Sequence, residues 1–265
     1  LEINDLTTCF DTDNGKVTAI ENISFDLYKG ESLGILGESG CGKSVTALSM
    51  MDLLPAGVGY VEKGEILFSG INLLELSKKK MRDYRGNKMS MIFQEPMTSL
   101  NPVFKIKKQL LEVFTTHLDL SKEESFKKAV DILDLVGIPD PRQVIDKYPY
   151  QLSGGMRQRV MIAIALACQP ALLIADEPTT ALDVTIQAQI LKLMKDLKKR
   201  INTSIMLITH DLGVIAQMVE RVLVFYAGQV VERARISDLF NDPQHPYTEG
   251  LIRSIPRVGR KKKRL

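Results

Sequence analysis

Apolar and polar residues alternate with a period of two near the N-terminus, at residues 2–6 and again at 23–27. This period is typical of strands with one buried face. Asp13-Asn14-Gly15 separates the two segments and has the composition of a tight turn. We therefore predict that the chain begins with an antiparallel β part.

The pattern then changes twice along the chain. From 103 to 167 apolar residues recur at helical spacing, and Ser121 to Glu124 has the sequence of a helix-capping box. After 167, short apolar runs at 171–175 and 204–209 alternate with helical segments. Such alternation indicates a parallel sheet with right-handed crossovers.

These segments predict an α/β fold with a mostly parallel sheet and an inserted helical subdomain. The expected parts are 1–96 and 166–235 as two pieces of one core, 97–165 as the helical subdomain, and 236–265 as C-terminal helices with a basic tail. We interpret the tail, 259–265, as solvated rather than as a lipid or nucleic-acid contact.

Composition limits the class of protein. The 265 residues carry a net charge of +3, which is too small to argue for nucleic acid as a partner. Three widely spaced cysteines favour a reducing compartment over a disulfide framework. No uninterrupted apolar run reaches about 18 residues, so we expect no membrane span within this chain.

A phosphate-binding loop follows the apolar run at 33–36. The stretch 37–44, Gly-Glu-Ser-Gly-Cys-Gly-Lys-Ser, has the form G-x-x-x-x-G-K-[ST], and a helical segment follows at 45–54. Between strand and helix, such a loop directs its backbone N–H groups at phosphate oxygens. Lys43 would reach the β- and γ-phosphates of a nucleotide and Ser44 would ligate Mg²⁺.

Four polar residues close predicted strands. Asp176 and Glu177 follow the run at 171–175, where the first could hold Mg²⁺ through water and the second could activate a water molecule. Gln94 and His210 end two other strands. Because parallel strands end at one edge of the sheet, we expect all four near the phosphate loop. Gln94 could reach the metal or the attacking water, and His210 could contact the γ-phosphate.

A second anion site is predicted at Ser153-Gly154-Gly155, which opens the helical segment 156–167. A hydroxyl, glycine amides and a helix N-terminus together suit a phosphate. One chain then has two phosphate sites and one nucleotide, and the simplest arrangement is that the second site serves the nucleotide of another subunit.

At these residues the chain resembles the ATP-binding subunit of an ABC transporter. By position, 37–44 corresponds to the Walker A loop, Gln94 to the Q-loop, 152–158 to the signature motif and 172–176 to Walker B. Glu177 then corresponds to the catalytic base and His210 to the switch histidine. The stretches at 93–102, 154–163 and 245–248 resemble the oligopeptide/dipeptide/nickel importer branch.

The resemblance implies ATP and Mg²⁺ as cofactors and solute import, with peptide favoured over nickel. It also implies transmembrane permease subunits, a second related ATPase subunit, an external solute-binding protein and a place at the cytoplasmic face of a membrane. Phe10 matches the adenine-stacking aromatic by position, with Val17 as the alternative. The predicted site residues are, for catalysis, Glu177, His210 and Gln94; for nucleotide binding, Phe10, Val17, Gly37, Glu38, Ser39, Gly40, Cys41, Gly42, Lys43, Ser44, Val45, Gln94, Asp176, Ser153, Gly154 and Gly155; and for the metal, Ser44, Gln94 and Asp176.

Two other classes of protein compete with this interpretation. A soluble ABC ATPase of DNA repair or translation would typically carry two cassettes or a long coiled-coil insertion, and this sequence has neither. A small-molecule kinase would share the phosphate loop but has no use for the Ser153-Gly154-Gly155 helix start. A non-hydrolysing regulatory subunit is disfavoured because the residues expected for hydrolysis are all present: Lys43, Asp176, Glu177 and His210.

Overall fold

The computed structural model describes residues 1–94, 99–180 and 182–254. Within these ranges a four-stranded antiparallel sheet has the order β2-β1-β4-β5. Its strands are β1 (Glu2–Thr12), β2 (Gly15–Asp26), β4 (Gly59–Phe68) and β5 (Ile71–Asn72). The expected antiparallel β part is therefore present. Gly59 pairs with Phe10 and begins β4, so the Gly-containing segment 55–63 is only partly a loop.

A second, mostly parallel sheet forms the α/β core. Six strands of the described part of the chain line up as β10-β9-β3-β8-β7-β6. The five from β9 to β6 are parallel, and only β10 runs antiparallel, beside β9. The strands are β3 (Ser32–Leu36), β6 (Met89–Ile92), β7 (Leu172–Asp176), β8 (Ser204–Thr209), β9 (Arg221–Tyr226) and β10 (Gln229–Arg235). The predicted fold class is confirmed.

Helices cover the parallel sheet and form most of the segment between β6 and β7. In chain order they are α1 (Lys43–Met50), α2 (Lys78–Tyr84), α3 (Ile106–His117), α4 (Lys122–Leu135), α5 (Pro141–Val144), α6 (Gly154–Leu166), α7 (Val184–Ile201), α8 (Leu212–Met218), α9 (Ile236–Asn241) and α10 (Pro246–Ser254). Single 3-10 turns occur at Leu73–Glu75 and Pro149–Gln151. No helix of the described ranges combines the length and apolar character that a membrane span needs.

The parallel sheet is buried on both faces, which explains its continuous apolar strands. On β7, Leu173 and Ala175 pack into the core beneath the helical subdomain. Leu172 and Ile174 point to the opposite face and pack with the antiparallel sheet and α1. One strand thus contributes side chains to both cores.

Helix boundaries follow local backbone chemistry. Gly42, at φ 102°, is the residue before α1, so this helix begins at Lys43, two residues earlier than predicted. It ends at Met50 because Asp52 adopts a left-handed conformation. The capping box is present at Ser121 and Glu124, and α4 accordingly begins at Lys122. The basic tail at 259–265 lies outside the described residues.

Candidate active site

The phosphate loop depends on glycine at two kinds of position. Gly40 and Gly42 have φ of 80° and 102°, conformations that only glycine adopts without strain. Gly37 is limited by space instead, since a Cβ there would lie 2.4 Å from the Phe225 carbonyl oxygen and 2.6 Å from the Cys41 sulfur. The loop is therefore seated directly against the end of β9.

Lys43 is enclosed by this loop and is only 5% exposed. Its Nζ donates to the carbonyl oxygens of Gly37 at 2.8 Å and of Glu38 at 2.7 Å. The loop thus wraps around its own cation. Phosphate oxygens that enter the loop would replace these carbonyls as acceptors.

Asp176 is the last residue of β7 and is 5% exposed. Its Oδ1 is one of the few buried side-chain atoms, among the described residues, without a hydrogen-bond partner. Burial raises the pKa of the Asp176 carboxyl and outweighs the effects of the Ser44 hydroxyl and Lys43, which lower it. A buried carboxylate oxygen without a partner next to a serine hydroxyl is a donor set that fits Mg²⁺.

The Glu177 carboxylate receives three side-chain hydrogen bonds. Its Oε1 lies 2.8 Å from Nδ1 of His210, and its Oε2 accepts from Nε2 of Gln94 at 3.0 Å and from the Thr180 hydroxyl at 2.9 Å. Burial raises the pKa of Glu177, but the hydrogen bonds from His210 and Thr180 outweigh it, and the pKa lies below its usual value. Glu177 is therefore ionised at neutral pH and held in one orientation.

Sheet register brings these groups together. Leu36, directly before the loop, pairs with Thr209, and Asp176 pairs with Ile208. His210 directly follows β8, and Gln94 comes two residues after β6. The sequence predicted that the four strand-end residues would meet, and direct contacts join Gln94, Glu177 and His210. It did not predict Thr180, because nothing in the local pattern distinguishes it from the other residues of that turn.

Ser153, Gly154 and Gly155 form the start of α6. The Ser153 hydroxyl accepts from the Met156 N–H at 3.3 Å, and Ser153 and Gly154 are exposed. No hydrogen bond connects 153–155 to the phosphate loop of the same chain among the residues described here. Further along α6, the buried Gln158 side chain donates to the Pro178 carbonyl oxygen. This bond ties the signature helix to the segment after Glu177.

The two adenine-contact candidates lie in different surroundings. Phe10 and Val17 are cross-strand partners in β1 and β2. The Phe10 ring packs against Gly59 of β4. Val17 is 51% exposed, and two residues further along β2 the Ala19 carbonyl lies against Gly42 of the phosphate loop. The strand that carries Val17 therefore contacts the phosphate loop, whereas the Phe10 ring packs against β4.

Comparison with known proteins agrees with this geometry. The ABC transporter family model matches residues 20–180, more than half of the chain. The chain belongs to the ABC transporter family. A second model, for the C-terminal region of oligopeptide/dipeptide transporters, matches 231–265 of this ABC protein, which places it in that branch.

Relatives of this ABC ATPase include the oligopeptide transport ATP-binding protein OppD of Bacillus subtilis (strain 168), 57% identical over 97% of this chain and 72% of OppD. The dipeptide transport ATP-binding protein DppD of the same organism is 54% identical over 97% of this chain and 77% of DppD. Among solved structures, a dimeric ATP-binding cassette in a post-hydrolysis state with ADP and phosphate superposes with a TM-score of 0.79. The two sequences are 26% identical, and the superposition spans 89% of this chain and 98% of the cassette.

Proposed function

We propose that this ABC ATPase hydrolyses ATP to power the import of di- or oligopeptides through a membrane transporter. The observation that carries the ATPase assignment is the Glu177 carboxylate, which is ionised and is oriented by Gln94, Thr180 and His210 at the end of the strand that also holds Asp176. Peptide as the solute rests on the similarity to OppD and DppD. Nickel or another solute is the alternative.

The chemistry divides among the residues of the site. Lys43 and the loop amides bind the β- and γ-phosphates, and Ser44 and Asp176 would hold Mg²⁺, with Gln94 as a further candidate ligand. When bound there, the metal would supply positive charge that offsets the charge of the phosphate oxygens. Glu177 accepts a proton from the water that attacks the γ-phosphorus, and His210 keeps the carboxylate oriented. No covalent intermediate with the protein is needed.

A second ATPase subunit would complete the site. Ser153, Gly154 and Gly155 present a hydroxyl and free helix-start amides on the surface, and they make no hydrogen bond to their own phosphate loop within the described ranges. In a dimer these groups would bind the γ-phosphate held by the other subunit. The partner is a second copy or a related chain. The dimeric state of the cassette bound to ADP and phosphate supports such an arrangement.

Transmembrane permease subunits would dock in a groove on the helical subdomain. The groove has a volume of about 1010 Å³ and is lined by residues of α3, α4 and the segment before α3. Val103 is 71% exposed there, and Lys108 lies over the Phe104 ring at 3.3 Å. Gln109 bonds to the backbone of Asn101 and Phe104 and so fixes this segment a few residues beyond Gln94. Through the permease the chain would sit at the cytoplasmic face of the membrane, with a solute-binding protein on the other side.

The test is transport by the reconstituted complex. We expect vesicles that contain the permease, the solute-binding protein and this chain to take up labelled peptide only with Mg²⁺ and ATP. Lys43→Ala should abolish uptake and phosphate release together, and Val103→Asp should uncouple them, leaving the ATPase rate of the purified chain unchanged. Uptake of nickel but not of peptide would overturn the solute assignment while leaving the ATPase assignment intact.

A further inference from the structure

The C-terminal helix α10 touches the phosphate loop through one side chain. The Tyr247 hydroxyl accepts a hydrogen bond from the backbone N–H of Glu38 at 3.1 Å, across 209 residues of sequence. Glu38 is the second residue of the phosphate loop. Tyr247 belongs to the stretch His245-Pro246-Tyr247-Thr248, to which the mechanism above gives no role.

We propose that Tyr247 is a positioning residue that holds the phosphate loop through its hydroxyl and so couples the C-terminal helix to nucleotide binding. The inference rests on the proposed function in one respect, that residues 37–44 bind the phosphates of a nucleotide. It adds a residue outside the nucleotide motifs and a route by which the C-terminal region can influence the site.

The Tyr247 side chain is held by a ring contact as well as by its hydroxyl. It packs on the Tyr226 ring with centroids 4.6 Å apart, and Tyr226 is the last residue of β9. The carbonyl of the preceding residue, Phe225, is the group that leaves no room for a side chain at Gly37. The tyrosine pair therefore lies where β9 meets the start of the loop. Burial raises the pKa of Tyr247, so its hydroxyl stays neutral at physiological pH.

The base of α10 is anchored by a buried carboxylate. Glu232 of β10 is 8% exposed and accepts from the backbone N–H groups of Gln244 at 2.8 Å and His245 at 3.0 Å. Burial raises the pKa of Glu232, but the two backbone N–H groups and the nearby Thr248 hydroxyl outweigh it and keep the pKa below its usual value. The Tyr247 N–H in turn donates to Nδ1 of His245 at 3.2 Å. Hydrogen bonds to β10 and within 245–247 thus hold the start of α10, which carries Tyr247.

The hydrogen bond to Tyr247 is one of two side-chain contacts of the Glu38 backbone among the described residues, and the other involves Lys43. Its N–H donates to Tyr247, and its carbonyl accepts from Nζ of Lys43 at 2.7 Å. A nucleotide phosphate would draw the lysine away from that carbonyl. Tyr247 is then the side chain that keeps Glu38 in place and preserves the curvature of the loop around the phosphates. Loss of the hydroxyl should weaken nucleotide binding, since a loop that is less ordered beforehand must be ordered on binding.

The test compares two tyrosine-to-phenylalanine variants of the full chain. Each removes one hydroxyl from the same ring pair, but the Tyr226 hydroxyl makes no hydrogen bond among the described residues. We expect Tyr247→Phe to raise the Kd for MgADP by about threefold to tenfold, which corresponds to about 0.7–1.4 kcal/mol, with kcat at saturating ATP within twofold of the wild type. Tyr226→Phe should leave the Kd unchanged.

A second readout separates coupling from simple docking of the helix. If Tyr247 links the two elements, MgADP must also stabilise α10, because coupling between two sites is reciprocal. We expect amide hydrogen exchange in 246–254 to slow on addition of MgADP in the wild type and in Tyr226→Phe, but not in Tyr247→Phe. A Tyr247→Phe chain that fails to fold would show fast exchange in the central strands as well. In that case Glu38→Pro, which removes the N–H donor of the same hydrogen bond, takes the place of Tyr247→Phe in the test.

The outcomes are distinct. An unchanged Kd in Tyr247→Phe, an equal loss in Tyr226→Phe, or protection of 246–254 that persists without the hydroxyl would each overturn the inference. If the wild-type chain itself does not bind MgADP, the proposed function fails instead. Lys43→Ala is the reference for loss of nucleotide at this loop.

Discussion

Replacing Glu177 with glutamine tests the assigned base most directly. The change removes a negative charge and almost no volume. If the amide oxygen takes the place of Oε2, it keeps the hydrogen bonds from Gln94 and Thr180. The amide nitrogen then faces Nδ1 of His210, which can accept a hydrogen bond when the imidazole is neutral. Fold and nucleotide binding should therefore survive.

The expected loss is that of a general base. Such a group contributes about 10²–10⁴ in rate, or roughly 3–5 kcal/mol of transition-state stabilisation at 1.36 kcal/mol per decade. We expect Glu177→Gln to release phosphate from saturating MgATP at most at about one hundredth of the wild-type rate, with the Kd for MgATP within about threefold. Because hydrolysis is slow, the variant should also accumulate as an ATP-bound dimer.

The assay is single-turnover phosphate release, paired with equilibrium binding of MgATP and size-exclusion chromatography. Glu65→Gln makes the same chemical change on an exposed residue of β4 and should behave as the wild type. Phosphate release by Glu177→Gln within fivefold of the wild-type rate would refute the assigned role. A parallel loss of ATP binding would show that the charge serves to bind nucleotide and not to activate water.

Three further changes test other parts of the site. Asp176→Asn should lower the affinity for MgATP at least tenfold while leaving metal-free ATP binding nearly unchanged. In the wild type, burial raises the pKa of Asp176, so Mg²⁺-dependent binding should weaken on acidification at a higher pH than an ordinary aspartate would require, and it should recover with added Mg²⁺. Gly37→Ala should lower the unfolding temperature and abolish nucleotide binding, because the added methyl group would overpack against Phe225 and Cys41, and overpacking typically costs about 1–3 kcal/mol. The control is Gly250→Ala in α10, where the methyl group has open space and alanine should raise the unfolding temperature slightly. Ser153→Arg should spare MgADP binding by the single chain yet prevent ATP-dependent dimerisation, and a normal dimer on size-exclusion chromatography would contradict the shared site.

Sequence predicted the strand-end residues well because their placement follows from topology alone. Once β6, β7 and β8 are parallel neighbours, Gln94, Glu177 and His210 must emerge at one edge. Backbone boundaries were harder. The first turn of α1 lies inside the phosphate-loop motif, where glycine content suggests a loop, and β4 begins at Gly59 only because β1 offers it a partner.

Contacts that cross the chain could not be read from local pattern. The Gln158 side chain meets the Pro178 carbonyl because α6 packs near the turn after β7, and Tyr247 meets Glu38 across 209 residues. The sequence around Gln158 and Tyr247 does not distinguish either residue from an ordinary polar side chain. Each contact depends on the angle at which a helix leaves the sheet, which periodicity does not specify.

We expect the site to discriminate among anions, because its charged groups already differ in how they are bonded. Lys43 makes two hydrogen bonds to its own loop, each worth about 1.5–3 kcal/mol when the donor is charged, so a weakly bound anion gains little by displacing them. Asp176 is in the opposite condition, with a buried oxygen that has no partner in the described part of the chain. A ligand that brings both phosphate oxygens and a divalent cation would offer Lys43 stronger acceptors than the loop carbonyls. It would also give the buried Asp176 oxygen a partner. Free phosphate does only half of this, so we expect the single chain to bind a metal-bound nucleotide more tightly than free phosphate, before any second subunit closes over the site.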